Sequence, residues 1–268
     1  MSKIFFIGAG KMATAIAGGL CKSGTFAPGE LEAFDISPEA AQRFTAATGI
    51  HCGHTAINEA ELERAEAVLL AVKPQYLADA LTGIKCILES KLIISIAAGI
   101  SLERLYDMTD SYRIVRVMPN TPALIGCGCA VAAMPKEVST QERDFVAEIF
   151  RAIGSYAVVE EKQLDAVTGL SGSGPAFVFA FIQALADGGV AEGLPRDLAL
   201  QLAAQTVAGA ARMVTETQTH PAVLSDQVCS PAGTTIRGVE ALHQGGLHKT
   251  VMNAVRSAAE RSRELGKN

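Results

Sequence analysis

The chain opens with a short strand pattern followed at once by a glycine turn, and this feature limits its fold more than any other. The apolar run Lys3-Ile4-Phe5-Phe6-Ile7 leads into Gly8-Ala9-Gly10-Lys11-Met12-Ala13, where a helical pattern begins. Gly8 permits a tight turn, Gly10 lets a phosphate approach the backbone, and Ala13 is small enough for the helix to touch the strand. Because a helix N-terminus attracts anions, the sequence predicts a site for a dinucleotide pyrophosphate. The alternative is a plain strand–turn–helix whose small residues serve packing.

Composition excludes several other classes of function. The 268 residues carry a net charge of -5 and no basic cluster, so we expect neither a nucleic-acid footprint nor attachment to a membrane surface. The longest apolar helix candidate, 175–185, is too short to cross a bilayer. Since the first residues already form a strand, we expect no targeting segment and a cytoplasmic location. The six cysteines form no C-x-x-C pair, which favours reduced thiols and no metal site.

Strand and helix patterns alternate in the first part of the chain, and only helical patterns follow Glu160. Strands are predicted at 4–7, 31–34, 67–72, 92–96, 112–118, 128–133 and 156–159, with helices between them, for example at 75–88. This alternation predicts an α/β fold, a Rossmann-type doubly wound parallel sheet over residues 1–160, followed by an all-helical domain over 161–268. The predicted helix 196–217 is apolar around most of its circumference, which indicates burial against a second subunit.

Polar and small residues follow the predicted strands, at the edge where an open parallel sheet binds its ligand. Asp35 follows the second strand and favours NAD through the ribose 2′-OH, whereas Ser37 can bind the 2′-phosphate of NADP; Asp35 can also be a simple turn residue. Lys73 in Ala71-Val72-Lys73-Pro74 can place a cation near the cofactor, or it can be a solvated lysine.

Two further loops of the first domain complete this predicted edge. Ala97-Ala98-Gly99 follows the fourth strand and offers a flat surface for a nicotinamide. Asn120 and Thr121 lie in the stiff loop Met118-Pro119-Asn120-Thr121-Pro122. We expect this loop beside the nicotinamide, with Asn120 as a cofactor-binding residue and the loop as a wall of the substrate site. A purely structural turn is the alternative for that loop.

Two segments of the helical domain are unusual. Gly169-Leu170-Ser171-Gly172-Ser173-Gly174-Pro175 predicts a flexible break between helices. Cys229-Ser230-Pro231-Ala232-Gly233-Thr234-Thr235 opens a helix with backbone amides, two threonine hydroxyls and a positive dipole end, which suits a small carboxylate. The alternative is an ordinary N-cap by Ser230 or Thr234.

These motifs, taken in order, resemble the Δ1-pyrroline-5-carboxylate reductase family over essentially the whole chain. Ala232 departs from the family pattern, which usually has glycine there. The resemblance implies a substrate site made of Ser230, Gly233, Thr234 and Thr235. The resemblance implies cofactor contacts from Ile7, Gly8, Ala9, Gly10, Lys11 and Met12 at the pyrophosphate, Ser37 and Asn58 near the adenosine, Ala71, Val72, Lys73, Pro74, Ala97, Ala98 and Gly99 along the nicotinamide half, and Glu161.

The same resemblance implies the reaction and the assembly. A hydride passes from NADPH, with NADH left open, to the C=N bond of Δ1-pyrroline-5-carboxylate and gives L-proline, with the Thr235 hydroxyl as the catalytic group at the ring nitrogen. We expect a homodimer through interleaved helical domains, with larger homo-oligomers left open. Two rivals remain: a β-hydroxyacid dehydrogenase, which needs a lysine where Val178 stands and an asparagine where Ile182 stands, and a non-catalytic dinucleotide sensor.

Overall fold

One eight-stranded sheet forms the first part of the chain. The structure is a computed structural model that describes residues 3–266. The strands lie in the order β3-β2-β1-β4-β5-β6-β7-β8. Their bounds are β1 Ile4–Ile7, β2 Leu31–Phe34, β3 Cys52–Gly53, β4 Ala67–Leu70, β5 Leu92–Ser95, β6 Ile114–Met118, β7 Gly128–Ala133 and β8 Gly154–Val158.

The sheet is parallel from β3 through β6 but not beyond it. β7 pairs antiparallel with β6, and β8 pairs parallel with β7, so the last two strands run against the others. The expectation of a wholly parallel sheet was wrong at this end. The connection from β6 to β7 is the short 3-10 turn Thr121–Ile125, and a parallel crossover needs a dozen or more residues.

Helices cover both faces of the sheet, because successive side chains of each strand point to opposite sides. Phe6 packs with one layer of helices and Phe5 with the other. The first layer consists of α1 Lys11–Ser23, α2 Pro38–Thr48 and α7 Thr140–Arg151, and the second of α3 Glu59–Arg64, α4 Leu77–Leu81, α5 Lys85–Leu88 and α6 Leu102–Thr109. The predicted doubly wound architecture is therefore confirmed.

The second part is helical throughout its described residues. It comprises α8 Leu164–Val167, α9 Gly174–Ala191, α10 Arg196–Thr217, α11 Pro221–Val228, α12 Thr234–Gln244 and α13 Leu247–Leu265. The flexible break predicted at 169–175 was wrong. Thr168–Gly172 instead forms a π-helical turn, and the Ser173 N–H donates to the Thr168 carbonyl at 2.8 Å.

This π-helical turn joins α8 to α9 in one long helical stretch, Glu161–Ala191. The stretch is long and apolar enough, by length and composition alone, to cross a membrane. The estimate that the apolar helix is too short for this was therefore wrong, because the turn at Thr168–Gly172 continues the helix where the sequence pattern predicted a break.

Contacts divide the chain into two compact units. Met1–Ser173 together with Ser257–Asn268 forms one unit, and Gly174–Arg256 forms the other. The end of α13 thus belongs with the sheet. The predicted boundary between a dinucleotide-binding domain over 1–160 and a helical domain over 161–268 stays a prediction.

Candidate functional site

The glycine turn lies where three strand ends meet. Gly8 has a φ of 101°, and its N–H donates to the Phe34 carbonyl at the end of β2 at 2.7 Å. A methyl group built on Gly8 would lie 2.8 Å from the carbonyl carbon of Ala71, so a side chain there would displace the residue after β4. Because β2 and β4 flank β1, Gly8 lies at the point of the sheet where the strand order reverses and where such folds bind ligands.

The helix that follows this turn begins without a cap of its own. Gly10 is the N-cap of α1, no side chain among residues 3–266 accepts from an N–H group of the first turn, and no acidic residue lies in that turn. A methyl group on Gly10 would meet nothing within 4 Å, so the backbone faces open space. By contrast, Ser37 caps α2 and Ser139 caps α7. The N-terminus of α1 therefore fits a phosphate group, because no side chain that the structure describes accepts from its free N–H groups.

Asp35 and Ser37 lie beside this turn, at the end of β2. Asp35 accepts from the Ala9 N–H at 2.7 Å with one oxygen and from the Ser37 N–H at 2.9 Å with the other. Ser37 accepts from the Ala40 N–H at 3.2 Å and donates to Glu39 at 2.7 Å, and this bond lowers the pKa of Glu39. Asp35 thus has the turn contacts that were its alternative role, and Ser37 is the N-cap of α2.

Other predicted cofactor residues occupy the same end of the parallel strands. Asn58 is exposed and caps α3, accepting from the Glu61 N–H at 3.4 Å. Lys73 is exposed after β4 and precedes the 3-10 turn Pro74–Tyr76. Ala71 and Val72 are partly buried beside Gly8. The structure therefore brings these residues to one edge of the sheet.

The loop after β5 is held at both ends by side chains. The Ala97 N–H donates to the Ser95 hydroxyl at 3.3 Å, Ala98 is exposed, and Gly99 has a φ of 77°. The Leu102 N–H donates to Glu161 at 2.7 Å. Glu161, which the resemblance places near the cofactor, thus bonds directly to the start of α6.

Arg116 is a residue of this region that sequence reasoning missed. Its guanidinium donates to Glu161 at 2.6 Å, and its side chain is 14% exposed. The only sequence signal was a single charge inside the apolar strand β6, and that strand lies beside β5. Arg116 and Glu161 together connect β6 to the beginning of α6.

Asn120 uses both ends of its amide inside the protein. Its carbonyl oxygen accepts from the Cys129 N–H at 2.8 Å, and its NH₂ group donates to the Ser171 carbonyl at 3.0 Å. The side chain is nearly buried, with 9% exposure. These contacts favour the structural alternative, in which Asn120 fixes its loop to β7 and to the π-helical turn.

The predicted substrate residues come together in the other compact unit, at the start of α12. Gly233 is the N-cap, no side chain bonds to the first turn, and no acidic residue lies there. The expected alternative, a cap by Ser230 or Thr234, does not occur in this part of the structure; the Gly233 N–H instead donates to the Ser230 carbonyl at 3.0 Å. Thr234 is exposed and Thr235 is half-buried. Uncapped amides beside two hydroxyls suit a carboxylate.

Titratable groups give no sign of metal chemistry within residues 3–266. No group of three or more His, Cys, Asp or Glu side chains in that range could hold a metal ion. All six cysteines are free, and burial raises the pKa of the Cys52 thiol to about 11.

The helical unit exposes a large apolar surface. Phe179 is 63% exposed, Leu200 is 50% exposed, and both line an open cleft of about 560 Å³ beside the Asp187–Arg196 ion pair. The buried cluster between α9 and α10 contains only Ala186, Ala199 and Ala203. Large apolar side chains on the outside of a helical pair are typical of a subunit interface.

Comparison with known proteins identifies both parts of the chain. A family profile described as pyrroline-5-carboxylate reductase dimerisation matches residues 161–265, and one described as NADP oxidoreductase coenzyme F420-dependent matches residues 3–99. Pyrroline-5-carboxylate reductase of Arabidopsis thaliana is 46% identical, with 98% of this chain and 95% of that protein covered. The protein of the same name from Escherichia coli is 40% identical, with 99% and 98% covered.

Solved structures give the same result. A pyrroline-5-carboxylate reductase from Coxiella burnetii superposes with a TM-score of 0.92 at 34% identity, covering 100% of this chain and 99% of that one. Pyrroline carboxylate reductase of Plasmodium falciparum with NADP bound gives a TM-score of 0.87 at 34% identity, covering 99% and 98%. A prephenate dehydrogenase from Aquifex aeolicus is 15% identical with a TM-score of 0.53, which shows a shared fold alone.

Proposed function

This chain belongs to the pyrroline-5-carboxylate reductase family, and we propose which of its residues carry out the reaction of that family. The enzyme reduces the C=N bond of Δ1-pyrroline-5-carboxylate to give L-proline, and it uses a nicotinamide cofactor. Our proposal concerns the residues that hold the two reactants, the preferred cofactor and the assembly.

The cofactor lies, in this proposal, along the edge formed by the ends of β1, β2, β4 and β5. Residues 7–12 hold the pyrophosphate at the uncapped N-terminus of α1, where the backbone of Gly10 faces open space. Ser37 and Asn58 lie at the adenosine end, and residues 71–74 and 97–99 lie along the nicotinamide half. When bound, the reduced nicotinamide supplies the hydride.

We propose NADPH as the preferred cofactor. Asp35 would normally repel a 2′-phosphate, but both its carboxylate oxygens accept backbone N–H groups in this turn. These two bonds offset part of the negative charge of Asp35 and direct its carboxylate toward the backbone of Ala9 and Ser37. Asp35→Asn removes the remaining charge while keeping one acceptor, so the ratio of kcat/KM for NADPH to that for NADH should rise severalfold. An unchanged ratio would show that Asp35 does not contribute to the choice.

The substrate carboxylate is held, in this proposal, at the N-terminus of α12. Thr234 and Thr235 provide free amides and two hydroxyls, and Gly233 and Ser230 lie directly before them and against each other. We base this assignment above all on the absence of a side-chain cap at α12, together with the absence of an acidic residue in its first turn. A bound carboxylate satisfies such an N-terminus as a capping side chain would.

The chemical step requires the side chains mainly to align the substrate with the nicotinamide. A protonated imine already carries the positive charge that accepts a hydride, so a buried His or Lys acid is not required. The Thr235 hydroxyl orients the ring nitrogen, and the alignment of two small flat groups supplies much of the rate. Val178 stands where a β-hydroxyacid dehydrogenase needs its lysine, so the residues do not support that rival reaction.

The Thr235 assignment can be tested with a pair of matched variants. Thr235→Val keeps the shape but removes the hydroxyl, and kcat/KM should fall by roughly ten- to a thousandfold if the bond strengthens in the transition state. Thr235→Ser restores the hydroxyl and should recover most of the activity. Wild-type kcat/KM in Thr235→Val, measured by steady-state oxidation of NADPH, would discredit the role of Thr235.

We also propose a soluble homodimer in the cytoplasm. The exposed apolar residues of α9 and α10 belong to the region that the dimerisation profile matches. A second copy of the chain, rather than lipid, covers them in this proposal, because the same surface carries Gln183 and the Asp187–Arg196 ion pair. Charged groups are costly in hydrocarbon but are common at the rim of a subunit interface.

A further inference from the structure

The last two turns of α13 pack against the sheet unit. Ala259 and Ser262 are buried, with 5% and 6% exposure, whereas Glu260, Arg261 and Arg263 are exposed. Ser262 donates from its hydroxyl to Asp165 in α8 at 2.6 Å. A hydrogen bond from a buried hydroxyl to a carboxylate is strong, so it anchors the end of α13 at this place.

The same end of α13 contacts the loop after β5. A methyl group built on Gly99 would lie 3.5 Å from both the Gly266 nitrogen and the Leu265 carbonyl carbon. Conversely, a methyl group on Gly266 would lie 3.1 Å from the Gly99 carbonyl oxygen. The two backbones therefore face each other closely, and the Leu265 Cβ lies 3.6 Å from the same methyl position on Gly99.

This contact supports the loop at a point that no hydrogen bond described above reaches. Ser95 holds Ala97, and Glu161 holds Leu102, but the turn formed by the exposed Ala98 and the half-buried Gly99 lies between these two bonds. Residues 262–266, which we term the C-terminal brace, lie against that turn. Since Gly99 has a φ of 77°, the loop has a special backbone shape that a neighbouring backbone can hold in place.

We propose that the C-terminal brace is a positioning element for the nicotinamide end of the cofactor site, acting through the Gly99 backbone. This inference rests on the proposed function, which assigns residues 97–99 to the nicotinamide half. The residues of the C-terminal brace touch neither reactant in this proposal. They fix the surface on which the nicotinamide lies, and small displacements of a reacting group cost large factors in rate.

The first test removes the anchor. Ser262→Ala should speed hydrogen exchange of the amides in residues 97–102 by about ten- to a hundredfold, because a hydrogen bond to a charged group is lost. The Kd for NADPH should rise about tenfold, while the KM for the imine changes less than twofold. Ser257→Ala, an exposed serine on the same helix, is the matched control and should leave all three quantities unchanged.

The second test alters the contact without removing the anchor. Gly266→Ala places a methyl group against the Gly99 carbonyl, so the loop must shift by a few tenths of an ångström. Gly266 does not have a positive φ, so alanine adds no backbone strain, and the melting temperature should not fall while the Kd for NADPH rises severalfold. Gly29→Ala is the control: its methyl group meets nothing within 4 Å, and it precedes the opposite end of β2.

The outcomes separate this inference from the proposed function. Wild-type exchange rates in residues 97–102 for both Ser262→Ala and Gly266→Ala would overturn the brace, whatever the enzyme binds. If wild-type protein binds NADPH and Gly10→Asp abolishes binding, the cofactor assignment stands. Unchanged NADPH affinity in both brace variants would then defeat only the further inference. Failure of the wild type to bind NADPH would instead defeat the proposed cofactor site.

Discussion

The two compact units bury their apolar residues in opposite ways. In the sheet unit, Phe6 and Phe44 are fully buried and their rings lie 6.1 Å apart. In the helical unit, Phe179 is 63% exposed and Leu200 is 50% exposed, and the buried cluster consists of three alanines. The first unit therefore completes its hydrophobic core alone, whereas the second has the composition of a core cut in half.

In the proposed homodimer, this difference makes the stability of the sheet unit separable from the assembly of the two copies. A core that one chain completes has a stability independent of protein concentration. A core completed by a second copy has a stability that falls on dilution. Variants in the helical unit should therefore change a stability that depends on protein concentration, whereas variants in the sheet unit should change one that does not.

The largest effect is expected at the apolar surface of the helical unit. Phe179→Asp places an unpaired charge in the proposed interface, which should weaken association by about a hundredfold or more and reduce activity with it. Sedimentation velocity across a dilution series measures the change. Tyr112→Asp, at a 64% exposed aromatic residue of the sheet unit, should leave the assembly intact. Dissociation in both variants, or in neither, would remove the contrast between the units.

The next effect compares two phenylalanine truncations. Phe6→Ala leaves a cavity in a complete core and should lower the free energy of unfolding by about 3–5 kcal/mol at every protein concentration. Phe179→Ala should cost less, and its cost should depend on concentration. Denaturant unfolding at two protein concentrations about 50-fold apart distinguishes the two variants. A concentration-dependent loss in Phe6→Ala would contradict the comparison.

A third, smaller effect concerns helix N-termini. The first turn of α7 is completed by Ser139 and Glu142, unlike that of α12. Burial acts to raise the pKa of Glu142, but the Ser139 N–H, the Ser139 hydroxyl and Arg113 outweigh it and lower that pKa. Because the folded-state pKa is lowered, the stabilisation is present above the unfolded value of about 4.3 and is lost as the pH falls through the folded value.

Glu142→Gln should therefore lower the free energy of unfolding by about 1 kcal/mol at neutral pH. The difference from wild type should shrink as the pH falls below about 4. Urea unfolding at several pH values provides the measurement, with the exposed Glu137→Gln as control. A difference that grows on acidification would show that the pKa shift has the opposite sign.

The smallest effect lies at Ala232, which adopts a φ of 56° before α12. Ala232→Gly should raise the free energy of unfolding by about 0.5–1 kcal/mol, because a non-glycine residue in this region is strained. Gly24, with a φ of 74° at the end of α1, gives the reverse test. Gly24→Ala should destabilise by about 1 kcal/mol. Equal signs for the two variants would contradict the argument from backbone strain.

Local patterns predicted the elements whose signals are local. The strands 4–7, 31–34 and 128–133 and the helix 196–217 were predicted with the bounds observed, because apolar runs and turn residues mark both ends. The predicted helix 75–88 was wrong in its middle, where Gly83 has a φ of 86° and separates α4 from α5. β3 was missed because two residues carry no periodicity.

The edge that holds the candidate cofactor site was also predictable, because strand order and the glycine turn determine it. The hydrogen-bond partners were not. Asp35 bonds to Ala9, 26 residues away, and Arg116 bonds to Glu161, 45 residues away. Such pairs depend on how distant segments meet in the fold, which a local pattern does not contain.

The wide turn at Thr168–Gly172 has a consequence for how insertions and deletions act on this chain. A π-helical turn accommodates an extra residue relative to an α-helix, so it sets the rotational phase of every residue that follows it in α9. Deleting one residue there would rotate the following helix by about 100° about its axis. Phe179 would then face a different direction, although no residue of α9 itself had changed.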